Sequence, residues 1–444
     1  MLDIKYIREN LKLVKELLGR KNITSDIIDA VIEADENRRG FLQQYEGFRK
    51  KQNEFSERVV KLSGTDKEDA LSEMKGIKTK LVEIEAELKI AEEVFQNWAY
   101  KMPNIPFDDV PVGRGEADNI VVREIGEKRS FSFVPKDYVA LGEALDLIDT
   151  ERAAKVSGAR FSYLKHEAPL LEFALVQFVF SRLLNESWIE KIAKKQELDI
   201  SPKAFIPLVP PVMIRPEAYR GMGRLDPGQE EERYFLPKDN LYLVGSGEHT
   251  TGPMHMEEIF DEDALPHRHV AFSTCFRREA GAYGKDTRGI IRVHQFDKIE
   301  LFVFAHPGKS REEHELLVGI QEACMQELKI PYRVVSICTG DMGWPDAKQY
   351  DIEAWMPGQD QYRETHSASH TTDFQSRRLN MRYKTKDGSK NFIHTLNATA
   401  FAIGRTLIAI LENYQNEDGS IDVPEVLVPY MHGIMKIVPR KKLL

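Results

Sequence analysis

The sequence predicts an α+β protein in which an antiparallel sheet flanked by helices follows a long antiparallel helical hairpin. Three observations carry that expectation. In the first hundred residues, apolar side chains recur at alternating spacings of four and three. Beyond about residue 106, short apolar runs punctuated by Gly and Pro take over. Those runs come in clusters and do not alternate one by one with helical stretches, which favours antiparallel pairing over βαβ units.

The hairpin rests on two series. Phe41, Tyr45, Phe48, Gln52, Phe55, Val59 and Leu62 form the first, and Met74, Ile77, Leu81, Ile84, Leu88, Ala91, Phe95 and Trp98 the second. A 3.5-residue period marks the seam of a coiled coil. Between them, Ser63-Gly64-Thr65-Asp66 is a turn composition, with Gly for a left-handed residue and Ser or Asp to cap the next helix. Each arm is expected to run roughly 30 to 37 residues, or about 45 to 55 Å. Pro103 and Pro106 stop the second helix, because proline cannot continue the hydrogen-bond ladder. The hairpin is thus expected near 26–100, in an N-terminal domain of residues 1–105 ahead of a second domain of 106–444.

Its charge is uneven. Arg49, Lys50, Lys51, Arg58, Lys61, Lys67, Lys75, Lys78 and Lys80 make the tip basic, whereas Glu83, Glu85, Glu87, Glu92 and Glu93 make the base of the second helix acidic. A projecting arm with a basic tip can reach along a nucleic-acid backbone. Taken alone, the segment reads better as a solvated coiled coil for dimerisation or spacing.

In the second domain, LYLVG, HVAFSTCF and KIELFVFA read as strands, and stretches near 170–185, 311–328 and 400–415 as helices. Neither GxGxxG nor GxxxxGK[ST] occurs, which argues against Rossmann and P-loop nucleotide binding. A net charge of −9 argues against coating nucleic acid through bulk positive charge, although a local patch suffices to meet phosphates. Cys275, Cys324 and Cys338 form no CxxC, so neither a disulfide framework nor a Cys-rich zinc site is expected. The N-terminus MLDIKYIREN is charged where a signal peptide is apolar, and Phe173 to Leu184 is too short to span a bilayer. A soluble, cytoplasmic protein without a membrane partner is the expectation.

Three polar clusters hold the candidate chemistry. The first runs from Cys275-Phe276-Arg277-Arg278-Glu279-Ala280-Gly281 through Asp286-Thr287-Arg288-Gly289 to Arg292, His294-Gln295-Phe296 and Glu300. Inward arginines on a strand are costly unless they meet an anion or a carboxylate. For Phe276-Arg277-Arg278-Glu279 alone, a salt-bridged structural strand is the better reading. In the second cluster, Tyr362-Arg363-Glu364-Thr365-His366-Ser367, a carboxylate and a hydroxyl stand three apart, and such oxygens suit Mg²⁺ bound to phosphate. The third, His394-Thr395-Leu396-Asn397-Ala398-Thr399, leads into Gly404-Arg405, where an arginine can meet a polyphosphate.

In this order, the clusters resemble the signature of class II aminoacyl-tRNA synthetases, and within them the seryl-tRNA synthetases. The resemblance extends from MLDIKYIREN through PNIPFDDVPVG, KVSGARFSYLK, FRREAGAYGKDTRGIIRVHQFDKIEL and YRETHSASHTTDFQSRRLNMRY to HTLNATAFAIGRTLIAILENYQNEDGSIDVPEVLVPYM. It implies a class II antiparallel sheet. It also implies that the hairpin binds tRNA, through Arg49, Lys50, Lys51, Arg58, Lys61, Lys75 and Lys78, which reverses the spacer reading. The implied partners are L-serine, tRNA(Ser) met through its long variable arm, tRNA(Sec) where present, and a second copy in a homodimer.

The resemblance assigns further roles. Arg277 is similar to the arginine on the ATP α-phosphate, Glu279 to the adenine contact, and Arg405 to the γ-phosphate arginine. Arg278, Val293, Thr365 and His366 fall in the ATP-binding stretches. Glu364 and Ser367 are the implied Mg²⁺ ligands; ATP and Mg²⁺ are expected, zinc is not. Around serine, Glu248 is implied for the α-amino group and Arg277 for the carboxylate. Glu300 and Thr399 are implied for the hydroxyl, with Ser246, Gly247 and Asn397 close by. Arg277, Glu364 and Arg405 make up the implied catalytic set, and no residue stands out as a general base for transfer to tRNA.

Three stretches depart from the pattern. Ser246-Gly247-Glu248 replaces Thr-Ser-Glu or Thr-Ala-Glu, Ser367-Ala368-Ser369-His370 replaces Ser-Cys-Ser-Asn, and Asn397-Ala398-Thr399-Ala400 replaces Asn-Gly-Ser-Gly. His249, His255, His366 and His370 are unusual in these places, but their spacing does not read as a ligand set, and supporting or surface roles are expected. Asn185 to Phe205 is longer than usual, and its lysines and Pro202 suggest a surface excursion. The alternative readings are a relative with altered amino-acid or acceptor specificity, and a non-catalytic tRNA-binding relative.

Overall fold

The structure is a computed structural model and describes residues 1–225, 229–280 and 288–440. The chain divides into two compact units, Met1–Ile105 and the remainder from Pro106.

The first unit is helical. Helix α1 spans Ile4–Glu9 and α2 Leu11–Gly19, followed by α3, Ser25–Val59, and α4, Thr65–Ala99. The last two form the expected hairpin, each of 35 residues and so about 52 Å long. Both series of apolar residues lie on the seam: Ile77, Leu81, Ile84, Leu88, Ala91 and Phe95 of α4 are buried, and their counterparts on α3 are half-buried. At the turn, Gly64 has φ of 61°, a region that favours glycine. The capping expectation fails there, because Gly64 itself is the N-cap of α4 and no side chain caps that helix. At the other end, buried Asp35 receives Arg8 at 3.0 Å, Arg38 at 2.7 Å and Arg39 at 3.0 Å, which ties α1 to α3. A buried carboxylate is tolerable only when paired in this way.

The second unit is built on an eight-stranded sheet. Its strands are β1 (Ile120–Ile125), β2 (Ile206–Leu208), β3 (His267–Phe276), β4 (Gln295–Ala305), β5 (Tyr332–Ser336), β6 (Lys348–Met356), β7 (Gln361–His370) and β8 (His394–Ala402). Their order across the sheet is β1-β5-β6-β7-β8-β4-β3-β2, antiparallel except for edge strand β2, which runs parallel to β3. Five helices complete the frame used below: α5 (Glu167–Leu183), α6 (Glu186–Lys195), α7 (Glu248–Thr251), α8 (Ser310–Glu327) and α9 (Ile403–Asn413). The sequence expected helix from about residue 400, but 400–402 continue β8.

Alternation along β4 divides the two faces of the sheet. Ile299, Leu301 and Val303 join Leu171, Leu175 and Phe178 of α5, Leu317 and Ile320 of α8 and Leu407 of α9 in the main core. On the opposite face, Phe302 and Phe304 form a smaller core with Met222, Leu379, Met381, Tyr383 and Ile393. The 185–205 stretch is more than a surface excursion. Helix α6 buries Ile189, Ile192 and Ala193, while fully buried Arg268 of β3 donates to the Ser201 and Lys203 carbonyls and pairs with Glu313 at 2.6 Å. The apolar spacing within α6 holds this segment against the core, and its lysines occupy the outer face.

Candidate active site

Two β-bulges decide which side chains face the cleft. On a regular strand, residues three apart point to opposite faces, so Glu364 and Ser367 would be separated. In β7, Ile352 pairs with His366 but Glu353 pairs with Glu364, which leaves Thr365 as an extra residue. Glu364 and Ser367 consequently both line the cleft, together with Thr365. His366 turns inward against Phe401, and burial takes its imidazole down to about 3. A second bulge lies in β8, where Ile299 pairs with Phe401 and Glu300 with Thr399, leaving Ala400 extra. Asn397, Thr399 and Ala402 then reach the cleft.

The cleft encloses about 580 Å³. Arg277 extends from the end of β3, its Nε donating to the Gly245 carbonyl at 3.0 Å and its guanidinium 5.3 Å from the Phe296 ring centre. Arg405, in the first turn of α9, lies 2.9 Å from the Glu364 carboxylate and donates to the Glu364 carbonyl at 3.0 Å. Desolvation opposes the Glu364 charge, yet Arg405, with Arg277 and Lys298, brings its carboxyl below the ordinary value. Asp351 on β6 goes the other way, well above its ordinary value, through burial and the neighbouring Glu364 charge. Glu279 has φ of 53° and its carboxylate meets Arg292 at 3.4 Å; with Val293 it lines the cleft.

A second group of cleft residues is organised around α7. Burial disfavours ionised Glu248, but Arg224, 2.9 Å away, with His249 and Lys298, holds its carboxyl well below the usual carboxylate range. Arg224 also approaches Asp346 at 3.7 Å. His249 accepts from the Gly245 backbone N–H at 3.1 Å through Nδ1, and burial lowers it to about 3, so it stays neutral. Ser246 lines the cleft and donates its hydroxyl to Glu300, which Lys298 also contacts. Asn397 lines the cleft with a buried Nδ2 that has no hydrogen-bond partner among the described residues.

A family model described as "Seryl-tRNA synthetase N-terminal domain" matches residues 1–106, and one described as "tRNA synthetase class II core domain (G, H, P, S and T)" matches 234–414. The serine–tRNA ligase of Dictyoglomus turgidum is 41% identical over 443 residues, covering 99% of this chain and 100% of that protein. Among solved structures, the seryl-tRNA synthetase from Pyrococcus horikoshii complexed with ATP is similar, with 39% identity, a TM-score of 0.88 and coverage of 99% and 100%. The cytoplasmic serine–tRNA ligase from Naegleria fowleri in complex with AMP matches at 32% identity, a TM-score of 0.82 and 99% of each chain. The chain belongs to the seryl-tRNA synthetases.

Of the positions singled out by resemblance to seryl-tRNA synthetases, Arg277, Glu279, Val293, Glu364, Thr365, Ser367, Arg405, Ser246, Glu248, Asn397 and Thr399 line this one cleft. Four do not. Arg278 turns out over Tyr234, 4.8 Å from the ring centre, and donates to the Arg233 carbonyl at 2.9 Å. His366 is in the core, Glu300 is engaged by Ser246 and Lys298, and Gly247 packs so closely that a Cβ there would lie 3.1 Å from Ser273 Cβ. A side chain at Gly247 would therefore press on Ser273. Gly281, Asp286 and Thr287 of the first cluster lie outside the described residues.

The sequence reading missed Arg224, Lys298, Asp346 and Asp351. Lys298 left a signal, since it and Glu300 alternate just ahead of the apolar run 301–305 of β4. Arg224 and Asp346 come from loops far apart in sequence, and no local pattern marks either.

Proposed function

We propose that this chain activates L-serine with ATP and transfers the seryl group to the 3′ end of tRNA(Ser), and of tRNA(Sec) where present. The observation that carries the reading is the convergence of Arg277, Arg405 and Glu364 with the Glu248–Arg224 pair in one cleft. In the activation step, the serine carboxylate attacks the α-phosphorus in line and pyrophosphate leaves. Such a step needs mainly positioning and charge stabilisation. Arg277 acts at the α-phosphate and Arg405 at the γ-phosphate, exchanging the Glu364 carboxylate for phosphate oxygens; Glu279 meets adenine. Glu248 accepts from the α-amino group, and Asn397 Nδ2 supplies a donor near the amino acid.

Magnesium fits the Glu364–Ser367 pair. Both oxygens face one way because of the bulge, and the neighbouring Asp351 makes a like-charge pair that a divalent cation relieves. Bound there, the ion would neutralise phosphate charge. Arg49, Lys50, Lys51, Arg58, Lys61, Lys75 and Lys78 are all exposed on the hairpin and serve as the contacts to the long variable arm. The partner in a homodimer would cover exposed apolar surface such as Val121 and Val122 on edge strand β1. No helix among the described residues is long and apolar enough to cross a membrane. The proposed reaction on tRNA belongs to the compartment of translation, the cytoplasm.

Incubating the protein with labelled serine, ATP and unfractionated tRNA tests the reading. Serine should be esterified to tRNAs with a long variable arm and to no others. Absence of serine from tRNA, under conditions where another amino acid is charged, would overturn it.

A further inference from the structure

We propose that His255, His267 and His269 form a binding site for a divalent transition-metal ion of the zinc type, which fastens the turn after α7 to strand β3. Each ring offers a nitrogen within 4.8 Å of the others. His267 and His269 stand two apart on β3, opposite Phe304 and Phe302 of β4, and so share one face of the sheet. His255 comes from another part of the chain, the end of the 3₁₀ turn Gly252–His255.

The unsatisfied nitrogens point to a ligand. His269 is only 2% exposed, and neither of its ring nitrogens has a hydrogen-bond partner. His255 Nε2 and His267 Nδ1 are likewise buried without partners. Packing on Phe304, whose ring centre lies 5.1 Å from His255 and 5.9 Å from His269, explains the apolar faces of the rings. It leaves their polar edges unexplained, since buried donors and acceptors are normally paired.

A carboxylate supplies the outer support that metal-binding histidines commonly have. His255 Nδ1 lies 2.7 Å from Glu258 Oε2. Donation of Nδ1–H to that carboxylate fixes the tautomer and leaves a lone pair on Nε2. Three imidazoles suit zinc better than the oxygen-seeking Mg²⁺ or Ca²⁺, with water as a fourth ligand. Tetrahedral binding requires such nitrogens to be roughly 3.3 Å apart, so the ion would draw the three rings together.

None of the three histidines lines the catalytic cleft. They nevertheless occupy the same sheet face as Glu300, which precedes Phe302 by one alternation of β4, about 7 Å along the strand. The sequence reading expected no zinc. Sequence spacing does not mark His267 and His269, because only the fold supplies His-Arg-His with a third ligand.

The untagged full-length protein, stripped with chelator and titrated with Zn²⁺ by calorimetry, tests the proposal. One Zn²⁺ per chain should bind and raise the melting temperature, and Co²⁺ should give the intense visible absorption of tetrahedral coordination. Glu258→Gln should weaken Zn²⁺ binding by about 10–100-fold, and His255→Gln and His269→Gln by more. His255 is half-buried, so His255→Gln gives a folded variant even where His269→Gln does not. Failure of the parent to bind stoichiometric Zn²⁺, or undiminished binding by His255→Gln, would overturn the site.

Discussion

The Ser246 hydroxyl donates to Glu300, so the side chain that lacks the family's threonine methyl group also anchors a buried carboxylate beside the cleft. Burial raises the Glu300 pKa, and the Ser246 hydroxyl and Lys298 counter it. Ser246→Thr keeps the hydroxyl for Glu300 and adds one methyl group. Threonine as a substrate must be excluded by shape, where one methylene is worth only about 1–3 kcal/mol, whereas alanine leaves hydrogen-bonding groups unpaired and is rejected strongly. The protein should activate serine best, threonine measurably and alanine negligibly. Ser246→Thr should reduce kcat/KM for threonine about tenfold or more relative to serine. An unchanged ratio would mean that Ser246 does not shape the amino-acid pocket.

Arg277→Ala should abolish adenylate formation. Its tie to Gly245 and its seat against Phe296 preorganise the guanidinium. A donor at a reacting centre is worth roughly 3 kcal/mol or more, at least about a hundredfold in rate. Exchange activity within tenfold of the parent would return Arg277 to the structural reading that its strand suggests on its own.

Removing the hairpin tip, Lys51 to Lys78, separates the two half-reactions. Serine activation should persist, while tRNA charging is lost. In the intact protein, charging at limiting tRNA should fall steeply with salt, as phosphate contacts require. Unimpaired charging by the shortened protein would make the hairpin a spacer.

How much of this could be read from the sequence depended on the range of the interaction. The hairpin was legible because its seam is a local repeat, and Ile77 through Phe95 are buried at the expected spacing. The motif residues were legible through resemblance, but their shared orientation was not. A strict two-residue alternation puts Glu364 and Ser367 on opposite faces, and only the bulge at Thr365 unites them. The same slip sends His366 into the core, against the expectation that it joins the ATP site. Arg224 meets Glu248 from a distant loop, a contact with no periodic trace. In the 185–205 stretch, lysine content suggested a surface loop, while the apolar face of α6 and the carbonyl contacts of Arg268 bind it to the core.

Glu172 on α5 gives stability a pH dependence. Burial, reinforced by the adjacent Asp297, raises its carboxyl to about 8. The folded state therefore holds a proton that the unfolded chain releases near 4.5. This contribution is fully present below about pH 4.5 and is lost as pH rises towards 8, at no more than about 1.4 kcal/mol per unit. Glu172→Gln, neutral throughout, should match the parent in acid and exceed its melting temperature increasingly from pH 5 to 8. A constant difference across that range would show that Glu172 does not retain its proton in the folded protein.

The most direct measurement is amino-acid-dependent ATP–pyrophosphate exchange by the intact protein across a panel of amino acids with Mg²⁺ present. Serine should support rapid exchange, threonine a small fraction of it, and alanine, glycine and proline essentially none. Preference for any amino acid other than serine, or no exchange with any of them, would contradict the assignment of this cleft to serine activation.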